Sequence, residues 1–377
     1  MLCPAPVPEA NRGDQALLAV AMEGLLRTNP RRIDVVATSW RPIESVKSTS
    51  KIRIRTDLHL AFGTQRALRE QIAYLRLLRG AKSLVLIGAD VLDEGYSVSR
   101  SEASLYSLEL AAKLGVATRV VSFSINGSSS PALDERLRRV GRHTRLFVRD
   151  PVTYRRLAAA GVGNIVQAGD LAYLLEPAPI DAISDDLRPF IEQHQGRLIG
   201  LNLTAVVLGQ YGEEETRLAN LAKACAKLAA EDGMRFLLIP HDEPEGVDYL
   251  RSFLSRLEAI APGAAKLVEP LPHVAALKRL AGCCRHLFTC RLHLGIGALG
   301  MCTPLTGFPY QGKFEGQFEL FGLSSDGLIG PSSFPDSANG LAELMRHRIE
   351  QSDELSDQIK TKLPSVRELA LRNFEGL

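Results

Sequence analysis

No stretch of the 377-residue sequence reaches the roughly 18 consecutive apolar residues that a membrane-spanning helix needs. The opening residues Met1-Leu2-Cys3-Pro4-Ala5-Pro6 have neither the basic start nor the apolar stretch of a secretory signal, so a cytoplasmic location is expected. An excess of charge of one sign is also lacking. Lys plus Arg number 45 and Asp plus Glu 43, a formal net charge of +2, which excludes a chain that grips nucleic acid by bulk charge. No two cysteines are spaced as Cys-x-x-Cys. The six stand at 3, 225, 283, 284, 290 and 302, four of them in one twenty-residue apolar region, which argues against a zinc site and against a secreted disulfide scaffold. Buried free thiols in a reducing compartment are expected instead. The histidines at 59, 143, 194, 273, 286 and 347 show no ligand-like pairing, so no metal site is expected. Internal repeats and low-complexity tracts are absent too.

What is present is ordinary globular composition, with 45% hydrophobic and 23% charged residues. At roughly 150 residues per domain the length suggests two or three domains. Short β-branched runs alternate with amphipathic stretches. Strands are predicted at 33–38, 83–87, 118–123, 145–148, 198–203, 235–239 and 285–289. Helices are predicted near 14–27, 65–79, 101–114, 132–140, 151–160, 214–231, 247–260, 272–281 and 292–300. Such alternation implies parallel sheets with right-handed crossovers, an α/β chain. Two prolines and a loss of periodicity mark a linker at 176–184. The expected organisation is two Rossmann-like lobes with a cleft between them, 1–175 and 185–340, followed by a C-terminal helical segment, 341–377. Ligands should sit outside the carboxyl ends of the strands.

Five stretches carry chemistry. In Asn11-Arg12-Gly13-Asp14-Gln15-Ala16-Leu17, Gly13 suits a tight turn and Asp14 is expected to cap the following helix, whose free amides favour an anionic or hydroxyl-rich ligand. A plain capped helix start explains this stretch equally well. No strand is predicted before it, because the Pro-rich residues 1–10 read as extended loop. In Ile87-Gly88-Ala89-Asp90-Val91-Leu92-Asp93, Gly88 ends a strand where backbone can approach a ligand and Asp93 follows; an ordinary turn is the plainer reading. In Phe147-Val148-Arg149-Asp150, Asp150 is expected to cap a helix opened by Pro151, and Arg149 suits bidentate binding of carboxylate or phosphate.

The most informative stretch is Thr289-Cys290-Arg291-Leu292-His293-Leu294-Gly295-Ile296-Gly297. Arg291 supplies a permanent charge, and His293 carries a proton near neutral pH. Gly295, Gly297 and Gly300 make a slim helix open to close approach. In Gly307-Phe308-Pro309-Tyr310-Gln311-Gly312-Lys313, Lys313 is a further phosphate partner or a solvated lysine. Pro240-His241-Asp242 ends another strand and is expected to line the cleft. The arginines of helix 65–79 read as a solvated face or a partner surface.

In combination these stretches resemble the polysaccharide pyruvyl transferases, the colanic-acid branch in particular. The matching residues are Asn11 to Leu17 for an Asn-x-Gly-Asp-x-Ala-Leu start, Val148-Arg149-Asp150, Gly161 and Asp170-Leu171-Ala172, then Arg291-Leu292-His293, Ile296, Ala298, Pro304, and Tyr310, Lys313 and Phe314. Ala89 and Asp90 stand where the family usually carries glycines. The resemblance implies a GT-B-like fold and the transfer of pyruvate from phosphoenolpyruvate to a saccharide or glycolipid acceptor as a ketal, in cell-surface or exopolysaccharide biosynthesis, with no cofactor. It implies His293 as general acid and Arg291 as its catalytic partner, with Asp14 aiding the acceptor hydroxyl. Arg149 and Lys313 would bind the donor, Asn11 and Gly13 the acceptor, and Gly88, Asp93 and Tyr310 would be further substrate-binding residues. Peripheral association with a membrane is compatible with a lipid-carried acceptor. Two other readings stay open: a GT-B-type glycosyltransferase using a nucleotide sugar, and a non-catalytic saccharide-binding relative favoured by the broken glycine run.

Overall fold

The computed structural model describes residues 1–3, 10–37, 46–59, 68–94, 97–125, 127, 130–309 and 312–377. The chain forms two compact units, Met1–Leu175 with Val366–Leu377, and Glu176–Ser365.

Among the described residues the first unit holds a seven-stranded parallel sheet. Its strands are β1 (Leu2–Cys3), β2 (Ile33–Ala37), β3 (Ile52–His59), β4 (Ser83–Ala89), β5 (Ala117–Phe123), β6 (Thr144–Val148) and β7 (Ile165–Gln167), in the order β3-β2-β1-β4-β5-β6-β7. The strand missing from the sequence pattern is therefore present, and it is central. Leu2 lies opposite Val35 on one side and Val85 on the other, and Cys3 lies opposite Leu86. Two residues give no periodicity to read, yet both are buried because neighbours flank them on each side. Residues 4–9 of the Pro-rich head lie outside the described residues.

The second unit carries a five-stranded parallel sheet among its described residues: β8 (Leu198–Asn202), β9 (Arg235–Leu238), β10 (Ala265–Leu267), β11 (His286–Thr289) and β12 (Leu305–Gly307), in the order β10-β9-β8-β11-β12. Each sheet reverses its strand order once, between β1 and β4 in the first unit and between β8 and β11 in the second. These are the switch points at whose carboxyl ends doubly wound sheets bind ligands.

The predicted helices are all present, with ends displaced by a few residues; residues 65–67, at the predicted start of one, lie outside the described residues. The linker and the C-terminal segment differ from expectation. Residues 176–184 pack on the second unit: the Ala178 N–H donates to the Ala275 carbonyl (2.9 Å), and the Ala178 carbonyl accepts from Arg279 Nε (2.7 Å). The helix Ala338–Glu350 buries Leu341, Ala342, Met345 and Ile349 in the core that holds Leu218 and Leu221, so it is part of the second unit. The helix Ser352–Leu371 begins in the second unit, and from Val366 onward the chain belongs to the first. There Asn373 accepts the Ser122 N–H (2.9 Å) and donates to the Gly169 carbonyl (2.9 Å). Gly169 is obligatory, because a Cβ would stand 2.9 Å from Ala370 N and Val366 O.

All six cysteines are free, and Cys3, Cys225, Cys284 and Cys290 are buried. Burial raises the Cys3 and Cys290 thiols to about 12, so they are inert packing groups at neutral pH.

His286 is buried between the Ser352 hydroxyl (3.1 Å) and the Thr306 hydroxyl (2.9 Å). Burial first, then Arg348 and Arg285, hold it down at about 3. The unfolded chain takes up a proton near pH 6.5 that the folded chain refuses until about pH 3. The stability this neutral ring contributes is thus complete above pH 6.5 and is lost as pH falls, by about 1.4 kcal/mol per unit. Urea unfolding from pH 7 to pH 4 should show that slope, and His286→Asn should flatten it. An unchanged slope in the variant would assign the acid sensitivity elsewhere.

Candidate functional site

In the first unit the sequence-predicted residues gather at the carboxyl edge of the sheet, after β1, β4 and β6. The helix Arg12–Arg27 is capped by Asn11, not by Asp14. Asn11 Oδ1 accepts the Gly13 N–H (2.8 Å) and the Asp14 N–H (3.4 Å). Asp14 stands three residues after the cap, where a carboxylate meets the positive end of the helix. Two of the amides expected to be free for a ligand are therefore bound by the protein itself. Asn11 Nδ2 donates to none of the described residues and remains the group available to a hydroxyl.

Gly88 also differs from expectation. A Cβ there would stand 2.7 Å from Val120 Cγ1 and 2.9 Å from Phe123 Cβ. The glycine is required by the packing of β4 on β5, not by a ligand. Ala89 ends β4 with φ +44°. It takes up the left-handed backbone that a glycine would adopt without cost, at a strain of about 1–2 kcal/mol. The turn is made without a glycine. Asp93 is buried.

Asp150 caps the helix Pro151–Ala159 as expected, accepting the Thr153 N–H (2.7 Å). Arg149 is only 1% exposed. Its Nη1 donates to Asp170 Oδ2 (3.0 Å) and its Nε to the Ser124 hydroxyl (3.0 Å). Burial opposes its charge, but the carboxylates of Asp170, Asp90 and Asp150 outweigh burial and hold the guanidinium pKa above its ordinary value. Asp170 also accepts the Ala172 N–H (2.8 Å) at the start of the 3₁₀ turn Leu171–Leu174. The two motif residues thus bind each other and stiffen the sheet edge.

In the second unit the informative stretch follows β11, at the switch point. Arg291 precedes the helix Leu292–Leu299, and His293 lies in its first turn, half-buried. Three polar residues place Arg291. The Thr289 hydroxyl accepts the Arg291 N–H (2.9 Å) and lies 3.3 Å from Asn202 Oδ1. Asn202, at the end of β8, donates to the Ile239 carbonyl beyond β9 (2.8 Å). The carboxyl ends of the three strands are thereby fastened together. From beyond β9, Asp242 Oδ2 accepts Arg291 Nη2 (2.6 Å), the two side chains being 20% and 27% exposed. This pair is open to a ligand in a way the Arg149–Asp170 pair is not. Burial raises the Asp242 carboxyl above its usual range, and Arg291 offsets part of that rise. Gly246 makes room for Asp242, since a Cβ there would stand 2.7 Å from Asp242 Oδ1.

The slim helix packs against protein. A Cβ on Gly295 would meet Leu305 at 3.1 Å and Phe314 at 3.3 Å, and one on Gly300 would meet the buried Lys278 at 3.0 Å. The contact of Phe314 with Gly295 seats the adjoining Lys313, half-buried, beside the helix that carries His293. The Tyr211 hydroxyl, shared between the Pro309 and Ile329 carbonyls (2.9 Å each), holds the start of the same loop. Tyr310 lies outside the described residues. No group of His, Cys, Asp and Glu able to hold a metal ion occurs among the described residues, and none of their helices is long and apolar enough to cross a membrane.

Two doubly wound parallel sheets define an α/β protein of GT-B-like class. UDP-GlcNAc 2-epimerase from Methanocaldococcus jannaschii superposes with a TM-score of 0.62 at 13% identity over 92% of this chain and 91% of that one. The Neisseria meningitidis UDP-GlcNAc 2-epimerase bound to UDP-GlcNAc gives 0.63 at 13% identity over 98% and 96%. A glycosyltransferase from Rickettsia africae gives 0.57 at 10% identity over 100% and 98%. At such identities these structures establish the fold alone. No curated protein matches the sequence. The profile of the polysaccharide pyruvyl transferases does match, over residues 11–312, and the chain belongs to that family.

Proposed function

We propose that the chain transfers pyruvate from phosphoenolpyruvate to two hydroxyls of a saccharide, releasing phosphate and closing a cyclic ketal. The observation that carries this reading is the position of Arg291 and His293. Within a chain matched to the family over residues 11–312, they stand at the switch point of the second sheet on a fastened strand edge. Phosphoenolpyruvate bears a carboxylate and a phosphate and calls for at least two cations. Arg291, held by Asp242 yet partly open, is the first, and Lys313 is the second. Arg149 is assigned to holding the first unit's strand edge, because Asp170 and Ser124 already occupy it.

In the reaction His293 delivers a proton to the methylene carbon of the donor, leaving C2 cationic. One sugar hydroxyl adds to C2 and releases its proton. The C2–O bond to phosphate then breaks, and a second hydroxyl closes the ring as its own proton leaves. Of the two hydroxyl protons, one restores His293 and the other departs with phosphate. Positioned acid catalysis supplies about 10²–10⁴-fold, and Arg291 stabilises the charge of the leaving phosphate. Asn11, through its uncommitted Nδ2, and Asp14 are assigned to the acceptor.

The reading is tested by incubating the protein with phosphoenolpyruvate and saccharide diols, measuring phosphate, and detecting the ketal methyl group by proton NMR. Calorimetry with a nucleotide diphosphate sugar separates the glycosyltransferase reading. Binding of that sugar, with neither binding nor turnover of phosphoenolpyruvate, overturns the proposal.

A further inference from the structure

At the opposite, amino-terminal edge of the first sheet lies a cavity of about 1030 Å³, enclosed by the starts of β2, β4 and β5 and by the ends of the helices Arg12–Arg27 and Leu68–Arg79. Its size is at the upper end of the range for small-molecule sites. Five cationic side chains line it, Arg31, Arg32, Arg76, Lys82 and Arg119, against a single carboxylate side chain, Asp34, while the Met1 ammonium and the Leu377 α-carboxylate, also in the lining, offset each other. That is a local excess of four positive charges in a chain whose total is +2. The two helices direct their carbonyl ends here, which subtracts about one charge in sum. The cavity remains strongly cationic.

Its cations are of two kinds. Arg32 is held by Asp34 (2.9 Å), and Arg119 by the carbonyls of Asn373, Glu375 and Gly376 (3.1 Å each). Arg31, Arg76 and Lys82 are exposed and make no side-chain hydrogen bond or ion pair among the described residues. Packing does not explain three like charges brought together in this way.

A second, independent feature is Asp34 itself. The residue is 7% exposed, and only Oδ2 is used by Arg32. Oδ1 is buried and accepts no hydrogen bond among the described residues. A buried carboxylate oxygen without a donor carries a substantial penalty. A ligand hydroxyl or N–H that reaches it as the surrounding side chains give way would relieve it. The wall beside it is apolar, formed by Leu25, Ile33, Leu77 and Val85.

We propose that this cavity is a binding site for a nucleoside diphosphate. Arg31, Arg76 and Lys82 would take the two phosphates, Asp34 Oδ1 a ribose hydroxyl, and the apolar wall the base. The site lies at the sheet edge opposite the family motifs and does not depend on the reading of the reaction.

Calorimetry on the full chain at low salt, with ADP, pyrophosphate and adenosine as probes, provides the test. ADP and pyrophosphate are expected to bind and compete with each other, and adenosine to bind far more weakly. Arg31→Gln, Arg76→Gln and Lys82→Gln combined should weaken ADP at least tenfold, and added salt should weaken it further. Asp34→Ala should weaken ADP several-fold and leave pyrophosphate unchanged, with the thermal midpoint recorded to show that the fold persists. The proposal is overturned if ADP fails to bind at millimolar concentration, binds the triple variant as it binds the native chain, or is displaced by phosphoenolpyruvate.

Discussion

Replacing His293 with alanine is expected to lower phosphate release from phosphoenolpyruvate about 10²–10⁴-fold, the range for loss of a positioned general acid, without unfolding the protein. The side chain is half-buried in the first turn of the helix Leu292–Leu299, and the core beneath that helix is made by Leu294, Ile296, Ala298 and Leu299. An alanine in the first turn leaves these contacts intact. The loss should fall on kcat more than on the apparent affinity for the donor, because Arg291 remains in place. Arg291→Lys should do the reverse. A lysine lacks the planar fork that satisfies Asp242 and still presents an edge to the donor, so KM should rise. Steady-state kinetics on both variants, with circular dichroism to verify folding, distinguish these outcomes. Normal turnover by His293→Ala would remove this histidine from the chemistry.

The second large effect is on stability. Asp170→Ala is expected to destabilise the first unit by about 3–5 kcal/mol, the usual cost of leaving one partner of a buried ion pair without its counter-charge. Arg149 is 1% exposed and Asp170 0%, so water cannot replace the lost carboxylate. The same substitution removes the acceptor of the Ala172 N–H. Asp170→Asn should cost less, since its single amide oxygen can still accept one of the two N–H groups that Asp170 holds, from Ala172 or from Arg149. Urea unfolding followed by tryptophan-independent far-UV circular dichroism should order the three proteins as native, Asn, Ala. Equal midpoints would show that the pair contributes nothing to stability.

The chain's alternation of apolar strands and amphipathic helices was readable wherever a strand is long and covered on both faces, as in β4, β5 and β6. It failed at β1, whose two residues carry no period, and at the short edge strands β7 and β10. β3 was missed for another reason: Ile52-Arg53-Ile54-Arg55 alternates as an edge strand does, without the continuous apolar run of its neighbours. For the site, Arg291 and His293 were legible because they adjoin a predicted strand end. Asp242 and Asp170 were singled out as well, but not as the partners of Arg291 and Arg149. Asp242 lies 49 positions from Arg291, and Asp170 lies 21 from Arg149; no local pattern links such pairs. Asn11 rather than Asp14 as the helix cap is a displacement of three residues, and it decided which amides are occupied. The three glycines after His293 were read correctly as making the helix slim, but the space they leave is taken by Leu305, Phe314 and Lys278.

The division of the chain sets an order of assembly. Everything the second unit needs lies in one continuous stretch, Glu176–Ser365, whereas the first unit draws its final pieces from Val366–Leu377. During synthesis the usual amino-to-carboxyl sequence of domain completion is therefore reversed. The stretch that emerges first must wait, with Ser122 N–H and the Gly169 carbonyl lacking the Asn373 side chain that satisfies them, until Val366–Leu377 have left the ribosome. In that interval the nascent first sheet keeps backbone groups that only the later stretch can satisfy.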